Sequence, residues 1–117
     1  MDTLTIYHNP RCSKSRAALA LLEERTLPLL VIEYLKNPPT RAELAGLRHK
    51  LGLAPQEWIR KNESEFTAAG LDANSPEDKL LDAMAKHPIL IERPIVVHGA
   101  RAVVGRPPER VLELLKK

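Results

Sequence analysis

Thr3-Leu4-Thr5-Ile6-Tyr7-His8-Asn9-Pro10-Arg11-Cys12-Ser13-Lys14-Ser15-Arg16 decides how this chain folds. Thr3 to Tyr7 alternates, is rich in β-formers and ends at a polar Asn-Pro turn, so it reads as a strand. Ser13 to Arg25 reads as a helix, with Ser13 or Ser15 available to cap it. Ala18, Leu21 and Leu22 fall on one face of that helix at i, i+3, i+4 spacing. Leu29 to Leu35 follows as a second strand, apolar enough to predict that it is well buried. Strand, helix and strand in this space make a βαβ unit, which predicts parallel strands and a right-handed crossover.

Beyond it, Asn37-Pro38-Pro39-Thr40 breaks the chain. Thr40-Arg41-Ala42-Glu43 has the form of a capping box leading into Leu44, Leu47 and Leu51. Pro55 and Pro76 each stand where a helix could begin, at Gln56 to Lys61 and at Glu77 to Lys86. Ile95 to Val97 and Ala102 to Val104, joined by His98-Gly99-Ala100-Arg101, read as a β-hairpin. Gly105-Arg106-Pro107-Pro108 stops it, and Val111, Leu112, Leu114 and Leu115 give a short final amphipathic helix. The order β-α-β, helices, β-β-α makes this an α/β chain with a mixed four-stranded sheet. With Pro94 just before the third strand, the layout is that of a single thioredoxin-like domain over residues 1–117, carrying a helical insertion at about 40–87.

At 117 residues the chain has room for one modest core. Hydrophobic residues are 44% and charged residues 28%, a globular rather than a disordered mixture. One cysteine cannot make an internal disulfide, which argues against a disulfide-stapled secreted domain. Met1 to Ile6 has no signal-like pattern, and the apolar runs Ala17 to Leu22 and Leu29 to Ile32 are too short to span a bilayer. A reducing cytoplasm is the expected compartment. The net charge is only +3 and the aromatics are Tyr7, Tyr34, Trp58 and Phe66 alone, which argues against a nucleic-acid partner. No long exposed apolar face stands out, so a monomer is expected.

Cys12 carries the chemistry. A thiol just before a helix faces free N–H groups and the positive end of the dipole. Arg11, Lys14 and Arg16 add positive charge, and His8 is placed to donate a hydrogen bond or a charge, all of which favour thiolate. A dithiol redox motif needs a second cysteine where Ser15 stands, so Cys12 is a monothiol that must borrow a resolving thiol. A cysteine-phosphatase loop needs an arginine at position 18, which is alanine. The scattered His8, His49, His87 and His98 have no zinc-ligand spacing, and no metal is expected. Spacing leaves a papain-like Cys–His pair open, although it sits oddly on a short βαβ frame. Arg60, Arg93 and Arg106 occupy tight settings, and arginine forks bind tetrahedral oxyanions.

His8-Asn9-Pro10-Arg11-Cys12 with Ser15-Arg16, then Arg60, then Glu92-Arg93-Pro94-Ile95-Val96-Val97, then Gly105-Arg106-Pro107 resembles the glutaredoxin-coupled arsenate reductase family. The resemblance runs from Thr5 to about Leu115. It implies an oxidoreductase in which Cys12 attacks arsenate, glutathione adds, and glutaredoxin reduces the mixed species so that arsenite leaves. It implies that His8 and Ser15 tune Cys12, that Arg60, Arg93 and Arg106 hold the oxyanion with help from Arg16 and Lys14, and that the Arg93-Pro94 bond is cis. Glutathione is then a co-substrate, and no tightly bound cofactor is implied. Two other readings share these residues. One is a glutathione-dependent thiol reductase with a different substrate. The other is an Spx-like regulator of RNA polymerase, against which Ser15 and Arg106 both count.

Overall fold

The computed structural model describes residues 3–115 and divides the chain into two compact units, residues 1–37 with 93–117 and residues 38–92. The second unit is the helical insertion, wider at both ends than the 40–87 read from sequence.

The first unit is built on a four-stranded sheet in the order β2-β1-β3-β4. Its strands are β1 (Leu4–His8), β2 (Leu29–Glu33), β3 (Ile95–His98) and β4 (Arg101–Val104). β1 runs parallel to β2 and antiparallel to β3, which pairs antiparallel with β4. This is the mixed, thioredoxin-like arrangement that the element order implied. Helix α1 (Ser13–Glu23) links β1 to β2, and a 3-10 helix at Pro108–Leu115 closes the unit. Leu4, Ile6 and Val96 from the sheet pack with Ala18 and Leu22 from α1 and Val111 and Leu114 from the closing helix. The alternation of β1 and the helical spacing of α1 therefore meet in one core, as their periods require. The β3–β4 connection is Gly99-Ala100, and Gly99 takes φ 62°, the left-handed conformation that a two-residue hairpin turn calls for at its first position.

The second unit holds α2 (Arg41–Leu51), α3 (Ser64–Ala68) and α4 (Glu77–Lys86), with 3-10 turns at Pro55–Glu57 and Pro88–Leu90. Thr40 and Glu43 form the expected capping box, Glu43 N–H to Thr40 Oγ1 at 3.1 Å and Thr40 N–H to Glu43 Oε1 at 2.8 Å. Leu44, Leu47, Trp58, Leu80, Met84, Leu90 and Ile91 are buried. Arg41 pairs with Asp78 and Asp82, and Arg48 with Glu77, across α2 and α4.

Several expectations are corrected. β2 is not well buried: it is an edge strand that ends at Glu33, with Leu30 52% and Val31 41% exposed. An all-apolar run reads as buried on both faces, but an edge strand has a neighbour on one side only. Leu35 is exposed as well, so an apolar surface exists where none was expected. The N-cap of α1 is Cys12, not a serine, and α1 stops at Glu23. The helix expected over Gln56 to Lys61 is a single turn at Pro55–Glu57, and α3 went unread because five residues hold too little periodic pattern. The final helix is of the 3-10 type.

Candidate active site

Asn9 shapes the loop between β1 and α1. Its carbonyl accepts from Cys12 N–H at 3.0 Å, and its Oδ1 accepts from Arg11 N–H at 3.0 Å, the side-chain turn that asparagine favours. Its own N–H donates to Ser15 Oγ at 3.0 Å. Ser15, fully buried in the first turn of α1, also stands 2.7 Å from His8 Nδ1. Burial pushes the His8 pKa down, against an opposing pull from Glu33, so the ring is neutral near pH 7. With the Ser15 oxygen already accepting from Asn9, the short contact is best met by its hydroxyl donating to Nδ1. The hydrogen bond that His8 makes in this loop is to Ser15. It locks the loop through Ser15.

Cys12 has the extended φ −96°, ψ 121° of an N-cap. Its thiol makes no conventional cap hydrogen bond, yet the helix amides face its sulfur. Burial pushes the thiol pKa up, but this is outweighed by the Ser15 N–H, the Arg93 side chain and the Lys14 N–H, and the net direction is down. Thiolate is favoured by N–H groups rather than by a partner base. Arg106 Nη1 lies 4.0 Å from Sγ, the outer limit for a bond to sulfur, and donates to Arg93 carbonyl at 3.0 Å. Arg93 and Arg106 thus both act on the thiolate.

The arginines arrive by way of the sheet. The Arg93-Pro94 peptide is cis, as is Arg106-Pro107, which the sequence did not suggest. Gly105 N–H donates to Pro94 carbonyl at 2.8 Å. A Cβ on Gly105 would lie 2.9 Å from both Pro94 Cγ and Val111 Cγ1, so only glycine lets these two segments close on each other. Arg106 is thereby set beside Arg93 and Cys12. Asn9 and Gly105 were missed as positioning residues, although both stood inside quoted motifs.

Arg16 Nη1 donates to Pro10 carbonyl at 2.9 Å and so braces the loop. Lys14 presents its amide to the sulfur while its side chain is exposed. Arg60 belongs to the second unit, where Nε binds Glu63 at 3.0 Å and Nη1 binds Glu92 at 2.8 Å. An antiparallel bridge between Ile59 and Ile91 sets up this arrangement. Among the described residues no cluster of His, Cys, Asp and Glu could hold a metal, and no helix is long and apolar enough to cross a membrane.

A nucleophilic sulfur flanked by two guanidinium groups is suited to attack on a tetrahedral oxyanion. The chain is 48% identical to an arsenate reductase of Neisseria meningitidis serogroup B, over 98% of its own length and all of that protein. It is 41% identical to an arsenate reductase of Escherichia coli strain K12, over 98% of its length and 82% of that protein. Among solved structures, an arsenate reductase from Vibrio cholerae superposes with a TM-score of 0.91 at 47% identity, covering 97% of this chain and 98% of that one. The ArsC family model matches residues 7–114, from the end of β1 to the closing helix and so across every element that builds the Cys12 site; by fold, motif and sequence this chain belongs to the ArsC family.

Proposed function

We propose that this chain reduces arsenate to arsenite, with Cys12 as nucleophile and glutathione and glutaredoxin as the source of electrons. The observation that carries the reading is the approach of Arg93 and Arg106, from the far end of the sequence, to the Cys12 sulfur. The names of the relatives supply the oxyanion's identity. The single cysteine supports an external reductant.

The Cys12 thiolate forms a sulfur–arsenic bond, and an arsenate oxygen leaves as water after protonation. Glutathione adds to the bound arsenic through its own sulfur, releasing a second water. A glutaredoxin thiolate then attacks the glutathione sulfur, forming a glutaredoxin–glutathione disulfide and leaving the electron pair on arsenic. Hydrolysis of the remaining Cys12–arsenic bond frees arsenite and restores the thiol. Across the cycle two thiols become one disulfide and arsenic gains two electrons. Arg93 and Arg106 would neutralise the oxyanion during the first attack, where charge is greatest.

The test is NADPH oxidation coupled through glutathione reductase, glutathione and glutaredoxin, with arsenate added last. Arsenate-dependent turnover that vanishes in Cys12→Ser is expected. Wild-type protein without arsenate-dependent turnover would refute the reading, and turnover with a different oxidised thiol substrate would replace arsenate by that substrate. Arg93→Ala and Arg106→Ala each remove charge-assisted bonds worth about 1.5–3 kcal/mol, so the KM for arsenate should rise about ten- to hundredfold.

A further inference from the structure

The one cysteine forces the second thiol to arrive on another molecule, and that molecule needs a place to sit. A cleft of about 190 Å3 lies against the loop that precedes Cys12. His8, Asn9, Pro10 and Arg11 line it from the Cys12 loop, and Glu33, Leu35 and Lys36 from the end of β2. Neither Arg93 nor Arg106 lines it, so it is separate from the groups assigned to the oxyanion.

Its chemistry is specific. Pro10 and Leu35 offer apolar surface, and Leu35 is 43% exposed. Glu33 and Lys36 sit 3.6 Å apart and largely offset each other. Arg11 is exposed and has no carboxylate partner among the described residues, so it leaves the cleft with a net positive charge. Pockets that bury a whole drug-sized ligand are about 300–1,000 Å3, so this one suits a single arm of a larger molecule. An apolar wall ending at a lone guanidinium fits a short methylene stem ending in a carboxylate.

We infer that the cleft between Asn9–Arg11 and Glu33–Lys36 seats a carboxylate-terminated arm of the attacking thiol peptide, a molecule of the glutathione class, with Arg11 forked on the carboxylate and the stem against Pro10 and Leu35. This rests on the reading that an external peptide thiol resolves the Cys12 adduct. It assigns the thiol and the oxyanion to different cations.

S-methylglutathione, whose blocked sulfur cannot react, is the probe. On titration into the full chain, NMR amide shifts should move at Asn9, Arg11 and Glu33 to Lys36. Arg11→Glu should weaken its binding at least tenfold, while Arg25→Glu, the same charge change at an exposed residue outside the cleft, should leave it unchanged. In turnover, Arg11→Glu should raise the KM for glutathione at least tenfold. Shifts confined to other residues, or equal binding by Arg11→Glu and wild type, would overturn the assignment. Probe binding at the cleft in a protein that proves inactive on arsenate would sustain the seat and refute only the arsenate reading.

Discussion

Replacing Ser15 by alanine removes one oxygen from the Cys12 loop. That oxygen accepts from Asn9 N–H at 3.0 Å and stands 2.7 Å from His8 Nδ1, and all three residues are buried. Each group left without its partner costs about 1–3 kcal/mol. The space vacated by a hydroxyl is smaller than the roughly 10–15 Å3 a replacement water needs. Alanine returns up to about 0.5 kcal/mol through helix propensity. The expected loss is therefore about 3 kcal/mol, a large share of the roughly 5–15 kcal/mol that holds a domain together. With a urea slope of about 2 kcal/mol/M, the unfolding midpoint should fall by about 1.5 M. A fall below about 0.5 M at unchanged slope would refute the reasoning, because it would mean that neither buried group depends on this oxygen. The same variant separates backbone from side chain at the thiol. The Ser15 amide, not its hydroxyl, faces the sulfur, so the pH midpoint of iodoacetamide alkylation should remain below 9.0. A midpoint that returned to 9.0 in Ser15→Ala would show the division to be wrong.

The remaining predictions concern charge and packing. In wild type the alkylation midpoint should lie below 9.0; Arg93→Gln and Arg106→Gln should each raise it, and an unchanged midpoint in both would contradict their placement beside the sulfur. Gly105→Ala drives a Cβ to 2.9 Å from Pro94 and Val111, which should cost about 1–3 kcal/mol and lower Tm by about 5 °C or more; an unchanged Tm would show that the segments yield freely. His8 is held neutral in the folded chain with its pKa below 6.5, whereas the unfolded chain binds the proton at 6.5. Stability should therefore be constant for this group above 6.5, fall as pH drops from 6.5 toward the lowered value, and level off below it. His8→Gln should flatten that segment of the urea-midpoint profile, and an identical profile in the variant would count against a buried neutral ring.

Patterns set by nearest neighbours were readable along the chain. The period-2 alternation of β1, the 3.6 spacing of Ala18 and Leu22, the Thr40–Glu43 box and the Gly99 hairpin each depend on residues within a few positions, so the sequence determined the order of the strands and of α1 and with it the mixed sheet. The monothiol character of Cys12 needed only a count and Ser15. What depended on neighbours distant in sequence was not readable. Whether an apolar run such as Leu29 to Ile32 is central or at an edge is settled by how many strands flank it, and β2 has one. That Ser15 locks His8 rather than capping α1 follows from a buried hydrogen bond between a strand end and a helix turn. That Arg93 and Arg106 stand near the sulfur, and that Arg60 is held by Glu63 and Glu92 within its own unit, could not be drawn from three arginines in similar settings. The sequence alone thus pointed to a thiol set up to ionise and to several arginines suited to an oxyanion. Only the tertiary structure decided which of them meet, because a guanidinium acts over a few ångströms and the chain closes that distance only by pairing β3 with β1 and packing Gly105 against Pro94.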